Sequence, residues 1–173
     1  VFKELVTMME EAVAKNGRFV MDKATLKAAS MKAAQVPDWI IQKDFSLLKE
    51  LPDKIRSLFI GQDEALNGVV RLSRIGYGGG RTDEKPVASI MFAGPTGTGK
   101  TYLSKLLSKS PGLKMITMDM TTYRSSVSMD RFLSVMTDNL TINPHAVYVF
   151  EEIDKANVQV LDRLYFLLDK GIF

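Results

Sequence analysis

Apolar positions along this chain recur with two periods, and the switches between them lay out the elements. Phe2, Leu5, Val6, Met9 and Val13 fall at helical spacing, so residues 1–15 are predicted to form an amphipathic helix ended by Asn16-Gly17. Asp22 is a candidate N-cap for a short second helix through Thr25, Leu26 and Ala29. Pro37 pushes Val36 towards extended backbone, and Trp39 just beyond it is expected to pack onto the domain body. Leu47, Leu48 and Leu51 predict a short helix before Pro52, and Ile55, Leu58 and Phe59 another after it. The stretch Phe59-Ile60-Gly61-Gln62-Asp63-Glu64-Ala65 opens a longer helix with Leu66, Val69, Val70 and Ile75 on its apolar side.

Residues 76–85, with four glycines and no apolar period, are predicted to be a mobile surface loop. Ala88 to Ala93 is a short apolar run that reads as a buried strand, and Leu103, Leu106 and Leu107 place a helix directly downstream. Ser110-Pro111-Gly112 is a turn, after which Lys114 to Met120 alternates as a strand. Phe132, Leu133 and Met136 share one face of a helix over 129–140, and Asn143-Pro144 breaks the chain. Ala146 to Phe150 is a continuous apolar run of the kind found in a central parallel strand. Val158 to Asp169 is an amphipathic helix through Leu161, Leu164, Leu167 and Leu168, closed by Gly171. Strands alternating with helices give an α/β fold with a parallel sheet flanked by helices.

Composition narrows the function classes. A length of 173 residues allows one domain of ordinary size, with or without an appendage. Twenty-three basic and twenty acidic residues are interspersed, for a net charge of +3, so there is no basic arm of the kind that binds nucleic acid. The absence of cysteine excludes a disulfide framework and thiolate metal or redox chemistry, and suits a cytoplasmic protein. No apolar run approaches a membrane span, and the acids in VFKELVTMMEEAVAK do not fit a secretory signal. Lacking an initiator Met, the chain is expected to be a piece of a longer protein.

The chemistry is concentrated in Gly94-Pro95-Thr96-Gly97-Thr98-Gly99-Lys100-Thr101, which fits G-x-x-x-x-G-K-[ST]. Glycines at these places let successive backbone N–H groups wrap a polyphosphate, since no Cβ intervenes. Lys100 is placed to reach the β- and γ-phosphates of ATP, and the Thr101 hydroxyl to ligate Mg²⁺. The loop lies between an apolar run and a helix, the order that also puts a helix N-terminus behind the phosphates. A second site follows the apolar run 146–150, where Glu151 and Glu152 stand at the carboxyl end of the predicted strand. This is the form of a Walker B site, in which Glu151 would hold Mg²⁺ through water and Glu152 would polarise the attacking water.

With both motifs placed, the sequence resembles the Clp-type AAA+ ATPases, ring-forming unfoldases and disaggregases, and most of all their second ATPase module. The resemblance rests on Ile60 to Ala65, Gly94 to Thr101, Asp119-Met120-Thr121 with Tyr123, and Phe150-Glu151-Glu152-Ile153-Asp154-Lys155-Ala156, in matching order over roughly residues 50–170. It implies an AAA+ large subdomain over 53–173, incomplete at its C-terminal end, preceded by a helical connector over 1–52. It implies that Phe59, Ile60 and Gly61 border the adenine, that the strand order is 5-1-4-3-2, and that the natural protein forms a homo-oligomeric, hexameric ring. ATP hydrolysis would then drive remodelling or unfolding of a polypeptide. Two other functions compete: a nucleotide-responsive scaffold with little turnover, and an AAA+ loader on nucleic acid, which the near-neutral charge disfavours.

Three departures from the family pattern stand out. Glu151 occupies a place where the family has Asp, which lengthens the metal-facing arm by one methylene. No glycine occurs from Leu113 to Lys170, so between Tyr123 and Val147 either the protein has no Gly-aromatic pore loop of the kind that grips polypeptide in the family, or residues are missing from this sequence there. Nor does the chain reach the sensor asparagine, the arginine finger or the lid of the family, and the strand neighbours of the P-loop strand are expected beyond Phe173.

Overall fold

A computed structural model describes residues 3, 6, 7, 9, 10, 23–33, 40, 46–77, 85–109 and 111–171. Its helices are α1 (Lys23–Ala33), α2 (Leu47–Arg56), α3 (Asp63–Tyr77), α4 (Lys100–Lys109), α5 (Met129–Ile142) and α6 (Val158–Lys170). Two strands, β1 (Met115–Asp119) and β2 (Val147–Glu151), form a parallel pair in which Met115 faces Val147 and Asp119 faces Glu151. Of the predicted N-terminal helix, the five described positions are helical, and Val6 and Met9 are exposed. Asn16-Gly17, Asp22, Val36-Pro37 and Trp39 lie outside the described residues, as do positions 78–84 of the predicted loop.

Helices α2 to α6 are built around two apolar clusters. In the first, Leu51, Ile55 and Phe59 meet Leu66, Val69, Val70, Leu103 and Leu106. The second joins the sheet to α5 and α6 through Met118, Met120, Tyr123, Phe132, Met136, Val160 and Leu164. Phe132 and Met136 are completely buried, at positions i and i+4 of one helical face. Asn157 starts α6 by accepting from the Gln159 N–H at 2.9 Å, and Gly171 ends it with φ 68°.

Four expectations are corrected. Pro52 does not separate two helices, because α2 runs through it. An interior proline removes one helical hydrogen bond at a cost of about 3 kcal/mol. Burying Leu51 and Ile55 together is worth about 3–6 kcal/mol, and an unbroken helix carries both into one cluster. Ile75 is 46% exposed rather than on the apolar side of α3. It lies nine residues after buried Leu66, which at about 100° per residue is the opposite face. The turn Phe59–Gln62 precedes α3 instead of opening it, and the far end of α3 takes in Gly76 and Tyr77, which the sequence reading places in the loop. Gly76 is a packing glycine: a Cβ there would run into the Val87 carbonyl, so a side chain at this position would push the two backbones apart.

The fourth correction concerns residues 88–93, which form no strand. A strand is defined by ladder bonds to a neighbour, and among the described residues the only pairing is β1 with β2. Met91 is 80% exposed, while Phe92 packs against the first cluster. For the same reason β2 is half-buried along its whole length, not enclosed as a central strand would be.

Candidate nucleotide site

The loop Gly94–Gly99 leads directly into α4, whose first residue is Lys100. Gly97 and Gly99 take φ of 85° and 87°, in the left-handed region. Gly99 has a second constraint, because a Cβ would stand 2.9 Å from Cε2 of Phe59. The Lys100 ammonium donates to the carbonyl oxygens of Gly94 at 2.8 Å and Pro95 at 2.7 Å, so the cation is folded back over its own loop. Thr98 Oγ1 donates to the Pro95 carbonyl at 3.0 Å and braces the turn. The amino end of α4 contributes its positive dipole end at the same place.

The parallel pair β1–β2 delivers acids to this loop. Glu151 is the last residue of β2, and its Oε1 accepts from Thr101 Oγ1 at 3.2 Å. That bond joins residues 50 apart in sequence. Glu152 comes next with φ 54° and ψ 44°, a left-handed conformation rare for a residue with a side chain. Its carbonyl accepts from the Lys155 N–H at 2.9 Å, which closes the short turn Ile153–Lys155. Beside Glu151 in the sheet register stands Asp119. The Thr121 hydroxyl and N–H both donate to its carboxylate, at 2.6 and 2.9 Å, and hold its pKa below the usual aspartate value. In the turn after Glu152, Lys155 lies 2.6 Å from Asp154, which lowers the Asp154 pKa and raises that of Lys155.

Phe59, Ile60 and Gly61 line a cleft of ≈ 370 Å³ next to the phosphate loop, together with Gln62, Gly97 to Gly99 and Tyr102. Sequence reasoning missed Tyr102, because helical period assigns it only to the outer face of α4. A plain polar-face tyrosine carries no signal until the fold brings Phe59 beside it, with ring centroids 6.2 Å apart.

A family model described as AAA domain (Cdc48 subfamily) matches residues 85–173. This chain belongs to the Clp-type AAA+ family. A ClpA homolog protein of Fuscovulum blasticum is 30% identical over 168 residues, covering 88% of this chain and 21% of the relative. The ATP-dependent Clp protease ATP-binding subunit ClpL of Staphylococcus aureus (strain USA300) is 33% identical over 144 residues, covering 74% of this chain and 20% of its own length. The chain thus spans about a fifth of the length of these curated relatives.

In this Clp-type AAA+ chain, Thr101 and Glu151 are in contact, whereas Glu152 is exposed and makes no side-chain bond to either. Among the described residues no three His, Cys, Asp or Glu side chains converge on a metal position. Thr101 and Glu151 are the contacting pair that could hold a cation at the loop, with nucleotide and water completing its shell. The donor set fits Mg²⁺, which takes one or two protein oxygens and keeps several waters. A threonine hydroxyl that donates to Glu151 still has lone pairs to offer a cation. No helix among the described residues is long and apolar enough to cross a membrane.

Proposed function

We propose that this chain binds ATP with Mg²⁺ on residues 94–101 and that, in a ring-forming cytoplasmic protein, hydrolysis of that ATP drives the remodelling of other polypeptides. The observation that supports it most is the Thr101–Glu151 bond, which joins the two phosphate-chemistry motifs at one point. Lys100 would exchange the Gly94 and Pro95 carbonyls for phosphate oxygens, since a charge-assisted bond to an anion is stronger than one to a neutral carbonyl. Thr101 and Glu151 would hold Mg²⁺, directly and through water respectively, and the metal would supply positive charge against the phosphates. Glu152, the acid left free, would orient and polarise the attacking water. Phe59, Ile60 and Gly61 would border the base.

A second reading, a nucleotide-responsive scaffold with little turnover, is favoured by one further observation. Phe132, inside the segment where the family carries its pore loop, is completely buried, and Tyr123, the aromatic just before that segment, is buried at 6% exposure and packs edge-on against it at 5.2 Å. Neither ring projects as a substrate grip would.

Two variants test the site. Lys100→Ala should abolish ATP binding by calorimetry, and equal affinity of variant and parent would rule the site out. In the full-length protein, Glu152→Gln should retain binding and lose hydrolysis, so unchanged turnover would remove Glu152 from the reaction. If the full-length protein binds ATP but its turnover is already as low as that of its Glu152→Gln variant, the scaffold reading replaces the remodelling one.

A further inference from the structure

A second groove, between α2 and α3, shares no lining residue with the nucleotide cleft and has a different chemistry. From α2 it takes Lys49, Pro52, Asp53 and Arg56, at i, i+3, i+4, i+7 spacing along one face. From α3 it takes Asn67, Val70, Arg71 and Arg74, at the same spacing. Its floor is apolar, made of the buried Pro52 and Val70 with the exposed Ile75 beside them. Its rim carries four cations against one acid, although the whole chain has 23 basic and 20 acidic residues. That one acid is already engaged: Asp53 Oδ1 lies 3.5 Å from Arg56, whose Nη2 donates to Asn67 Oδ1. Arg74 reaches from α3 to donate to the Lys49 carbonyl at 3.0 Å, which holds its guanidinium on the rim. The exposed Arg71 guanidinium and Lys49 ammonium bond to no described residue.

We propose that this groove docks an acidic polypeptide segment of a partner protein, whose carboxylates pair with Arg71, Arg74 and Lys49 while apolar residues between them lie on Pro52, Val70 and Ile75. Arg71 and Arg74, three residues apart on one helix, repel each other, and an incoming carboxylate turns that repulsion into attraction. A guanidinium also matches the two oxygens of a carboxylate as a fork. Phosphates would answer the cations too, but nucleic acid is the poorer fit. No aromatic side chain lines the groove as a platform for bases, and its apolar floor offers a sugar–phosphate backbone no partner. A volume of ≈ 460 Å³, within the range of small-molecule sites, holds a few residues of a chain rather than a folded domain. Because no lining residue is shared with the nucleotide cleft, the proposal stands apart from the ATP reading.

Fluorescence polarisation on the full-length protein tests this with a dye-labelled peptide of alternating glutamate and leucine. Its controls are a glutamine–leucine peptide, which lacks the charge, a glutamate–serine peptide, which lacks the apolar residues, and an oligothymidylate of equal charge. The glutamate–leucine peptide should bind more tightly than all three, and its binding should weaken in about 1 M salt, where the Debye length is about 3 Å. Arg71→Glu should weaken it about 2- to 30-fold, one exposed ion pair lost and one repulsion gained, with the urea midpoint unchanged. No binding of the glutamate–leucine peptide by the unaltered protein, or equal affinity in Arg71→Glu, would overturn the proposal. So would an oligothymidylate that binds as tightly as the peptide and loses affinity in Arg71→Glu, since the groove would then read nucleic acid. If Arg71→Glu fails to fold by circular dichroism, Arg71→Gln combined with Lys49→Gln decides in its place: a weaker peptide complex supports the docking site, and full affinity overturns it.

Discussion

Gly99 carries two constraints at once, and each can be assigned an energy. Its φ of 87° costs a residue with a side chain about 1–2 kcal/mol. The Phe59 ring, 2.9 Å from where a Cβ would stand, is held in the core and cannot swing away freely. Gly99→Ala should therefore lower stability by about 1–3 kcal/mol, seen as a lower urea midpoint, and should weaken nucleotide binding along with it. An unchanged midpoint would mean that the loop and the Phe59 ring relax together. Glu152 shows the reverse arrangement, because a residue with a side chain occupies a conformation glycine would take at less cost. That strain falls on the one acid the proposed reaction needs free.

The end of β1 is secured by a side chain as much as by the ladder. Asp119 caps the turn Met120–Tyr123 by accepting from Thr121, and those bonds stabilise its ionised form. The folded-state pKa is depressed, so the stabilisation is present above the ordinary value of 3.8 and is lost as pH falls through the lower folded value. Thr121→Val removes the hydroxyl donor and keeps the N–H, so the Asp119 titration followed by NMR should move up towards 3.8. No movement would show that the backbone bond alone sets it. The same end of the sheet carries Glu151, so the cap steadies the strand next to the proposed metal ligand.

Ring assembly, if the proposed function holds, belongs to the whole molecule. Phosphoryl transfer in such enzymes gains roughly 10³–10⁵ in rate from an arginine that one subunit offers to the next. ATP turnover per subunit should then rise steeply with protein concentration as rings form, in step with the assembled fraction measured by sedimentation. Turnover that is flat across the assembly range would place the whole catalytic apparatus within one subunit. β2, half-buried along its whole length, pairs only with β1 among the described residues, so its other edge is unpaired there.

What the sequence determined by itself is local. Eight contiguous residues, 94–101, carry the G-x-x-x-x-G-K-[ST] pattern because phosphate chemistry asks for backbone amides in succession, and helical period located α4, α5 and α6 because each buries a stripe of its own side chains. The parallel pairing of β1 and β2 was legible as class from alternation and apolar runs. Tertiary structure decided what depends on a neighbour. Residues 88–93 have strand composition but no strand partner among the described residues. Pro52 sits within a helix because two buried side chains outweigh one lost hydrogen bond. Thr101 meets Glu151 across 50 residues, and Tyr102 meets Phe59 across the cleft, only because α4 and the parallel strands pack together. A contact between distant residues leaves no period or spacing in either one's own stretch of chain, so only the folded arrangement reveals it.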